Sequence, residues 1–593
     1  MKQILSLIFL TVVVNVLLAQ TPSVLVETES FDEKGGWVVD QQFIPSMGSP
    51  YLLAHGMGEP VENAKTKVTF PESGRYYFWV RTMDWIPSRQ ETPGTFKVVF
   101  DGDEFNKTFG VNNGWQWIAA GRIKVDNSKK ILLELKDETG FEGRCDAIYF
   151  SKDKNDHPPV ELEEMTSWRK EKLGMPPPKI EADFDLVVVG GGLAGCGAAV
   201  AAARQGLKVA LINDRPVLGG NASKEIRVHT LGLKVYDIVE ELGTDHYPNG
   251  DAGAIPATEN IESVVRAENN ITVFANTRAN SVTKTGNKIK SVDCFDTHTH
   301  QETRFEAPLF VDATGDGWIG YWAGCEVRMG RESRDDFGES MAPEKPDGMT
   351  MGNSLLWNSV KIESDSKTDP ENKLNVGWQE VPWAMDVAKD YNATRGEWFW
   401  EYGLLMNTIY DAEEIRDHLF RAIYGNWYNV KQDPKNADLK LKWMAYVAGR
   451  RESRRIMGDY ILKESDVINH PDFEDGFVEE VREIDIHYPK GGEYDFITYA
   501  DFRKIEQYKI PYRCLYSKDI DNLFMAGRCF SATHVGLGSP RVMHTTTQMG
   551  VVVGYAAVIC NENNCTPRDV YKNHLNTMRQ RLDKIKTGEK FKH

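Results

Sequence analysis

The chain has 593 residues, with 70 Lys and Arg against 87 Asp and Glu, and so a formal net charge of −17. That acidic excess disfavours nucleic acid and anionic lipid as partners, and 41% hydrophobic with 26% charged residues is the profile of a globular protein rather than disorder. Eight cysteines without a CxxC pair exclude a disulfide scaffold, zinc fingers and dithiol or c-type haem motifs. At roughly 100–200 residues per domain, three or four structural units are expected.

Residues 1–19 read as a secretory signal peptide: Lys2 is followed by an apolar run from Ile4 to Leu18, and Ala19 is a small residue at the cleavage edge. The run is short of the ~20 residues that span a bilayer, and no later segment approaches that length, so no membrane span is expected. The mature protein is expected to be secreted or periplasmic. In such a compartment Cys560 and Cys565 lie close enough in sequence to pair, although spacing alone does not decide it.

Residues 24–153 hold short alternating runs between turn residues, among them Arg75–Met83, Thr95–Asp103 and Lys130–Asp137, which predicts an all-β sandwich. Four stretches, VETESF (Val26–Phe31), SGRYYFWVR, GWQW (Gly114–Trp117) and CDAIYF (Cys145–Phe150), resemble the carbohydrate-binding, galactose-binding-like sandwiches of secreted bacterial polysaccharide enzymes. The resemblance implies a structural calcium held by an opening acidic pair and a late aspartate, positions occupied here by Glu27, Glu29 and Asp146. Trp85, Trp115 and Trp117 either stack on sugar rings or belong to the sandwich core. Residues 154–183, with Pro158–Pro159 and Pro176–Pro178, read as a proline-rich linker.

A dinucleotide signature follows. Phe184–Val189 is a buried strand; Gly190, Gly192 and Gly195 form GxGxxG; Leu193–Gln205 is an Ala-rich helix; Lys208–Ile212 is a second strand. In that order Gly190 permits the tight turn, Gly192 the approach of a pyrophosphate, and Gly195 close helix–strand packing. Leu193 and Ala194 open the helix that offers free N–H groups to phosphate. The position that usually carries a ribose-binding acid is Asn213, followed by Asp214 and Arg215. Gly219, Gly220 and Asn221 come next. Ala313, Thr314, Gly315 and Asp316 follow a later strand. Gly315, Gly317 and Gly320 there match GxGxxG formally, but without a complete second β-α-β unit they read as a turn packed under the first nucleotide. Gly527 and Arg528 follow a third strand, and a small-residue helix is expected to begin near Thr547 with its N-terminus toward a flavin oxygen.

Six blocks together resemble the FAD-dependent oxidoreductase family of two-dinucleotide-binding-domain flavoproteins, related to the glutathione reductase and fumarate reductase superfamily. They are VVVGGGLAGCGAA, RPVLGGNASKEIR, VDATGDGWIG, GRRESRRIMGDYIL (Gly449–Leu462), KIPYRCL (Lys509–Leu515) and NLFMAGRCFSATH with GSPRVM. The resemblance implies non-covalently bound FAD in a Rossmann-like, three-layer α/β domain built from residues 184–340 and 502–565. An inserted α+β substrate domain would span 341–501, with helices over Ala412–Tyr424 and Leu439–Arg455, and a C-terminal helix 566–593. The fold class is thus multidomain: an N-terminal all-β sandwich, then the FAD-binding α/β domain with its insertion.

Flavin chemistry needs a group to take or give a proton, and histidine suits that task. His534 is the first candidate, then His229 and His544, with His487 and His246 also near motif blocks. Arg541 and Arg227 suit an anionic substrate or a reduced flavin; Arg451 and Arg454 are further substrate candidates on a presumed helix where Glu452 pairs with Arg455. The expected reaction is hydride transfer between FAD and a carbohydrate or other hydroxylated small molecule. A quinone, a small redox protein or oxygen would serve as electron acceptor. The alternatives are a fumarate-reductase-like double-bond reductase with an external donor, and a polysaccharide-binding or xanthan-lyase-like protein.

Overall fold

The computed structural model describes residues 21–86, 91–243, 246–362, 378–387, 389, 391–491 and 494–587; the signal sequence expected over 1–19 lies outside them. Among the described residues no helix is long and apolar enough to cross a membrane.

The N-terminal module is a two-sheet sandwich. One sheet runs Val38–Asp40, Tyr51–His55, Phe141–Ser151, Gly74–Thr82, Gln116–Val125, with Ser23–Glu27 also paired to Phe141–Ser151; the other runs Ala64–Val68, Ile131–Asp137, Phe96–Phe100, Asp103–Glu104. Period-two alternation explains the packing: Tyr76, Phe78 and Val80 point inward against Phe96, Val98, Leu133 and Leu135, while Trp79 turns to the opposite face.

The proline-rich segment 154–183 is more than a spacer. Between its two proline clusters the helix Leu162–Leu173 docks on the sandwich, burying Met165 and Arg169. Arg169 alters the expected calcium site. Its guanidinium lies 2.6 Å from Glu27 and also meets Asp146, which Arg81 contacts at 2.8 Å. Glu29 instead meets His300 at 2.8 Å. A fixed cation therefore bridges Glu27 and Asp146, and Asp146 has both oxygens engaged, Oδ2 by the two arginines and Oδ1 by the Ser49 hydroxyl at 2.6 Å, so the trio does not fit a calcium ion. Sequence reading missed this because Arg169 is distant in the chain and sat in a segment taken as a linker.

The second unit is built on a five-stranded parallel sheet, labelled β1 (Leu186–Val189), β2 (Val209–Ile212), β3 (Ile271–Phe274), β4 (Leu309–Asp312) and β5 (Leu523–Met525). The spatial order is β3-β2-β1-β4-β5, all parallel, the arrangement of a dinucleotide-binding fold. Helix α1 (Leu193–Arg204) follows β1 and is buried along nearly its whole length. A four-stranded sheet (Lys179–Glu181, Glu302–Glu306, Lys288–Asp296, Thr277–Thr285) covers the other face through Val292, Phe305 and Ile289.

The insertion is richer in β-structure than expected. Helix α2 (Ala412–Gln432) is present, but the helix expected over Leu439–Arg455 is replaced by strands Leu439–Met444, Gly449–Arg450 and Arg455–Ile456. The reason is legible in LKLKWM, whose alternation suits a strand. Glu452 and Arg455 still pair, at 2.8 Å, without a helix to hold them. After β5 the chain forms α3 (Met543–Asn563), which lies against α1: a Cβ on Gly550 would fall 2.0 Å from the Ala194 carbonyl oxygen, so only glycine permits this approach. Two short helices, Pro567–Asn573 and Leu575–Asp583, stand where one C-terminal helix was expected. Cys560, in the last turn of α3, and Cys565 just beyond it are free thiols.

The sandwich is fused to the insertion by a shared core. Trp85, Ile86 and Phe141 pack with Trp383, Phe420 and Tyr424 of the insertion. Arg416 of α2 reaches Asp40 at 2.7 Å and Asp417 at 2.8 Å, and Arg144 reaches Asp417 at 2.6 Å and Glu413 at 2.8 Å. Both guanidiniums are fully buried, so each depends on these carboxylates for compensation. The tryptophans considered for sugar stacking are committed to protein contacts. Trp85 sits in the shared core, Trp115 donates to Glu413 at 3.0 Å, and Trp117 packs on Trp168 of the docked helix.

Candidate functional site

One large cleft opens at the carboxyl ends of the parallel strands, where open α/β sheets bind ligands. Its floor is the turn after β1. Gly190 has φ +115° and lies so close to β4 that a Cβ would fall 2.1 Å from the Ala313 carbonyl oxygen; a Cβ on Gly195 would fall 1.8 Å from that of Gly190. Gly192, the N-cap of α1, faces open space apart from Gly220, 4.0 Å from where its Cβ would stand. The first turn of α1 therefore presents backbone N–H groups, without a side-chain cap, to a space cleared by two glycines. This cradle suits a pyrophosphate.

The wall beyond β2 carries Asn213, Asp214 and Arg215. Asn213 works inside the fold: its Oδ1 accepts from the Gly191 N–H at 3.1 Å, and its amide donates to the carbonyls of Arg215 (3.0 Å) and Val217 (2.9 Å). Its role is to fix the glycine turn. Asp214, paired with Arg278 at 2.8 Å, is the carboxylate on this wall. Gly219, Gly220, Asn221, Ala313, Thr314, Gly315, Asp316, Gly527, Arg528, Leu193 and Ala194, the other cofactor candidates of the sequence, also line the cleft. The second glycine run is a capped turn: the Asp312 carboxylate accepts from the backbone of Thr314 (3.1 Å), Ile319 (2.8 Å) and Gly320 (3.1 Å). Thr547 does not line the cleft; its hydroxyl donates to the Met543 carbonyl, and Thr546 takes its place because α3 begins at Met543.

Three of the five proposed reactive residues lie elsewhere. His534 is buried in the interior, its Nδ1 3.0 Å from Glu452 and its backbone N–H on Glu332. There it helps Arg455 hold the Glu452 carboxyl below its usual range against the opposing effect of burial. His544 bonds the Gly232 carbonyl at 3.1 Å. Arg227 stacks over Trp443 with its guanidinium 4.0 Å from the ring centroid. None of the three lines the cleft. Arg454 likewise stacks on Tyr321 and Trp318.

His229, Arg541 and Arg451 do line it, together with Trp398, Arg482, Asp485 and His487. His487 is the hub of this group. Its Nδ1 is 2.5 Å from Glu401, and its Nε2 faces both Arg541 (2.9 Å) and Asp485 (3.1 Å). Trp398 covers the ring at 4.9 Å between centroids. Burial would raise the Glu401 carboxyl, but Arg451 and His487 bring it down to about 2. Burial would likewise raise Asp485, and Arg541 with His487 holds it below its ordinary range. Both carboxylates are therefore charged at neutral pH. The sequence placed His487 near a motif but gave no reason to prefer it. The alternation Asp485-Ile486-His487 in a strand, which puts both polar side chains on one face, was the available signal.

Over residues 185–582 the chain matches the family described as FAD dependent oxidoreductase. The chain belongs to that family. Its cleft fits FAD on the strength of the glycine-cleared cradle at α1, and the residues lining it between Gly190 and Arg528 would hold the cofactor. Among curated proteins, a 57-residue stretch is 42% identical to glycerol-3-phosphate dehydrogenase of Mycobacterium leprae and to glycerol-3-phosphate dehydrogenase 2 of Mycobacterium tuberculosis. The match covers 10% of this chain and 10% of each relative, so the chain spans about a tenth of the length of the curated relatives it matches. Among solved structures, a geranylgeranyl bacteriochlorophyll reductase-like protein from Thermoplasma acidophilum is 14% identical over 68% of this chain and 83% of its own, with a TM-score of 0.32. A flavocytochrome c3 fumarate reductase in an open conformation is 14% identical over 69% and 83%, with a TM-score of 0.30.

Two histidines give the FAD-dependent oxidoreductase an acid limit. Burial lowers His229 to about 4, aided by His246 and Arg482, and burial lowers His544 to about 4 against the Gly232 carbonyl. The unfolded chain takes up these protons below the ordinary value of 6.5 while the folded protein does not, so stability is complete above that value and falls as pH drops toward 4. Urea midpoints at about pH 7 and about pH 4.5 check this. His544→Gln is expected to lose less stability over that interval than the wild type; an equal loss would contradict the assignment.

Proposed function

We propose that this protein is an exported FAD-dependent oxidoreductase acting on a hydroxylated small molecule that carries negative charge. The observation that supports this reading is the arrangement around His487 Nε2, which faces a donor, Arg541 at 2.9 Å, and an acceptor, Asp485 at 3.1 Å. A neutral imidazole accepts from Arg541 there, and an imidazolium pairs in charge with the Asp485 carboxylate. Each protonation state thus has a partner, as a proton-carrying group requires. Glu401 at Nδ1 fixes the tautomer that puts the basic lone pair on Nε2, where Arg541 holds it. FAD supplies the two-electron hydride acceptor. For oxidation, His487 takes the hydroxyl proton, while Arg541, Arg482 and Arg451 offer charge to a carboxylate or phosphate on the substrate. A sugar acid satisfies both requirements.

The same arginines support a second reading, reduction of an unsaturated carboxylate with an external electron donor, in which the His487 imidazolium gives its proton to the product. Anaerobic spectroscopy separates the two. Bleaching of the flavin band near roughly 450 nm on adding hydroxy acids or sugar acids supports oxidation. Re-oxidation of chemically reduced protein by unsaturated dicarboxylates supports reduction. Purified protein that fails to take up FAD would sink both.

A further inference from the structure

We propose that the N-terminal β module is part of the cofactor site, and that its turn Asp40-Gln41-Gln42 positions the two walls that enclose the adenosine half of FAD. Gln42 lines the cleft although it belongs to the sandwich. The wall on one side is the segment after β2 that carries Asp214, where dinucleotide folds receive the ribose. The fully buried Gln41 donates its amide to the Asp214 carbonyl and accepts from Thr297 at 3.0 Å. The wall on the other side is the segment leading into Gly449–Arg450, which includes the cleft-lining Ala448. Gln42 accepts from the Ala448 N–H at 2.9 Å and donates to the Tyr446 carbonyl at 3.0 Å and to Asp40 at 2.9 Å.

Two consecutive side chains of the sandwich thus reach in opposite directions, each holding one wall through backbone groups. Asp40 anchors the turn through its 2.7 Å pair with the buried Arg416, which also donates to the Tyr446 carbonyl. The separation of the walls is therefore set by a segment that precedes the nucleotide fold by well over a hundred residues, and the module acts as a clamp on the cofactor cleft. Gln41 and Gln42 are positioning residues, since their amides are spent on protein partners and act on the cofactor through the walls they hold.

The proposal rests on the cleft holding FAD, and its test is the dissociation constant for FAD, read by fluorescence titration of the apoprotein. The Gln42→Ala variant is expected to weaken FAD binding about tenfold, and Gln41→Ala to do the same, each with an apoprotein melting temperature within about 2 °C of the wild type. Should either alanine variant fail to fold, Gln42→Met and Gln41→Met keep the side-chain volume while removing the amide, and the same weakening is expected. Unchanged FAD affinity in folded variants overturns the clamp and leaves the functional reading intact. A wild-type apoprotein that binds no FAD overturns both.

Discussion

The His487→Ala variant is expected to retain FAD with an unaltered absorption spectrum and to lose about 10²–10⁴-fold in kcat, the range lost when a positioned proton-transfer group is removed. FAD is expected to be retained because the contacts of His487 run to Glu401, Asp485 and Arg541 rather than to the glycine turn that would cradle the pyrophosphate. Activity returning on addition of imidazole would mark the loss as one of proton transfer rather than of shape. Glu401→Gln tests the orienting charge: against the opposing effect of burial, Arg451 and His487 leave Glu401 ionised down to about pH 2, so the wild type carries that charge throughout any working range. The amide keeps the shape and removes the charge, so a smaller loss in kcat with KM little changed is expected. Wild-type turnover in His487→Ala would remove His487 from the reaction.

The Arg416→Met variant is expected to lose about 3–5 kcal/mol of stability, the cost of leaving a buried carboxylate without its cation. Asp40 would be stranded, with no exposure through which water could replace the guanidinium, while Asp417 would keep Arg144. Arg304→Met is the control. Arg304 pairs with Asp293 at 2.6 Å but is 40% exposed, so less than about 1 kcal/mol is expected. Denaturant midpoints measure both. Because the sandwich and insertion share Trp85, Phe141, Trp383 and Phe420, the wild type should unfold both units in one transition. Two separated transitions, or an Arg416→Met midpoint equal to that of the control, would contradict the fused core.

Where the sequence was informative, the signal was local and repeated. The GxGxxG turn, its flanking strands and the alternating runs of the sandwich are set by neighbours within a dozen residues, and the structure contains each. Most of the cleft lining, from Gly190 to Arg528, was legible for the same reason. Contacts across long separations were not. Arg169 pairs with Glu27 and Asp146, where an ion was expected, from a helix hidden between proline clusters. His487 gains its significance from Glu401, 86 residues earlier, and from Arg541, 54 residues later. His534 sits in a conspicuous motif, yet its partner Glu452 draws it into the interior. Asn213 and Trp115 illustrate the same limit: residue type suggested a ligand contact, and the structure uses the polar atoms to join its own segments.

The pairing of Arg144 with Asp417 also bears on biosynthesis, because 273 residues separate the two. At roughly 5–20 residues per second, about 14–55 s pass between translation of the first and of the second. For most of that interval the sandwich has all its strands, yet Trp85 and Phe141 lack the covering residues Trp383, Phe420 and Tyr424, and Arg144 has no counter-charge. The nascent chain thus carries a finished domain with one unfinished face, a surface open to self-association or to a chaperone until α2 emerges.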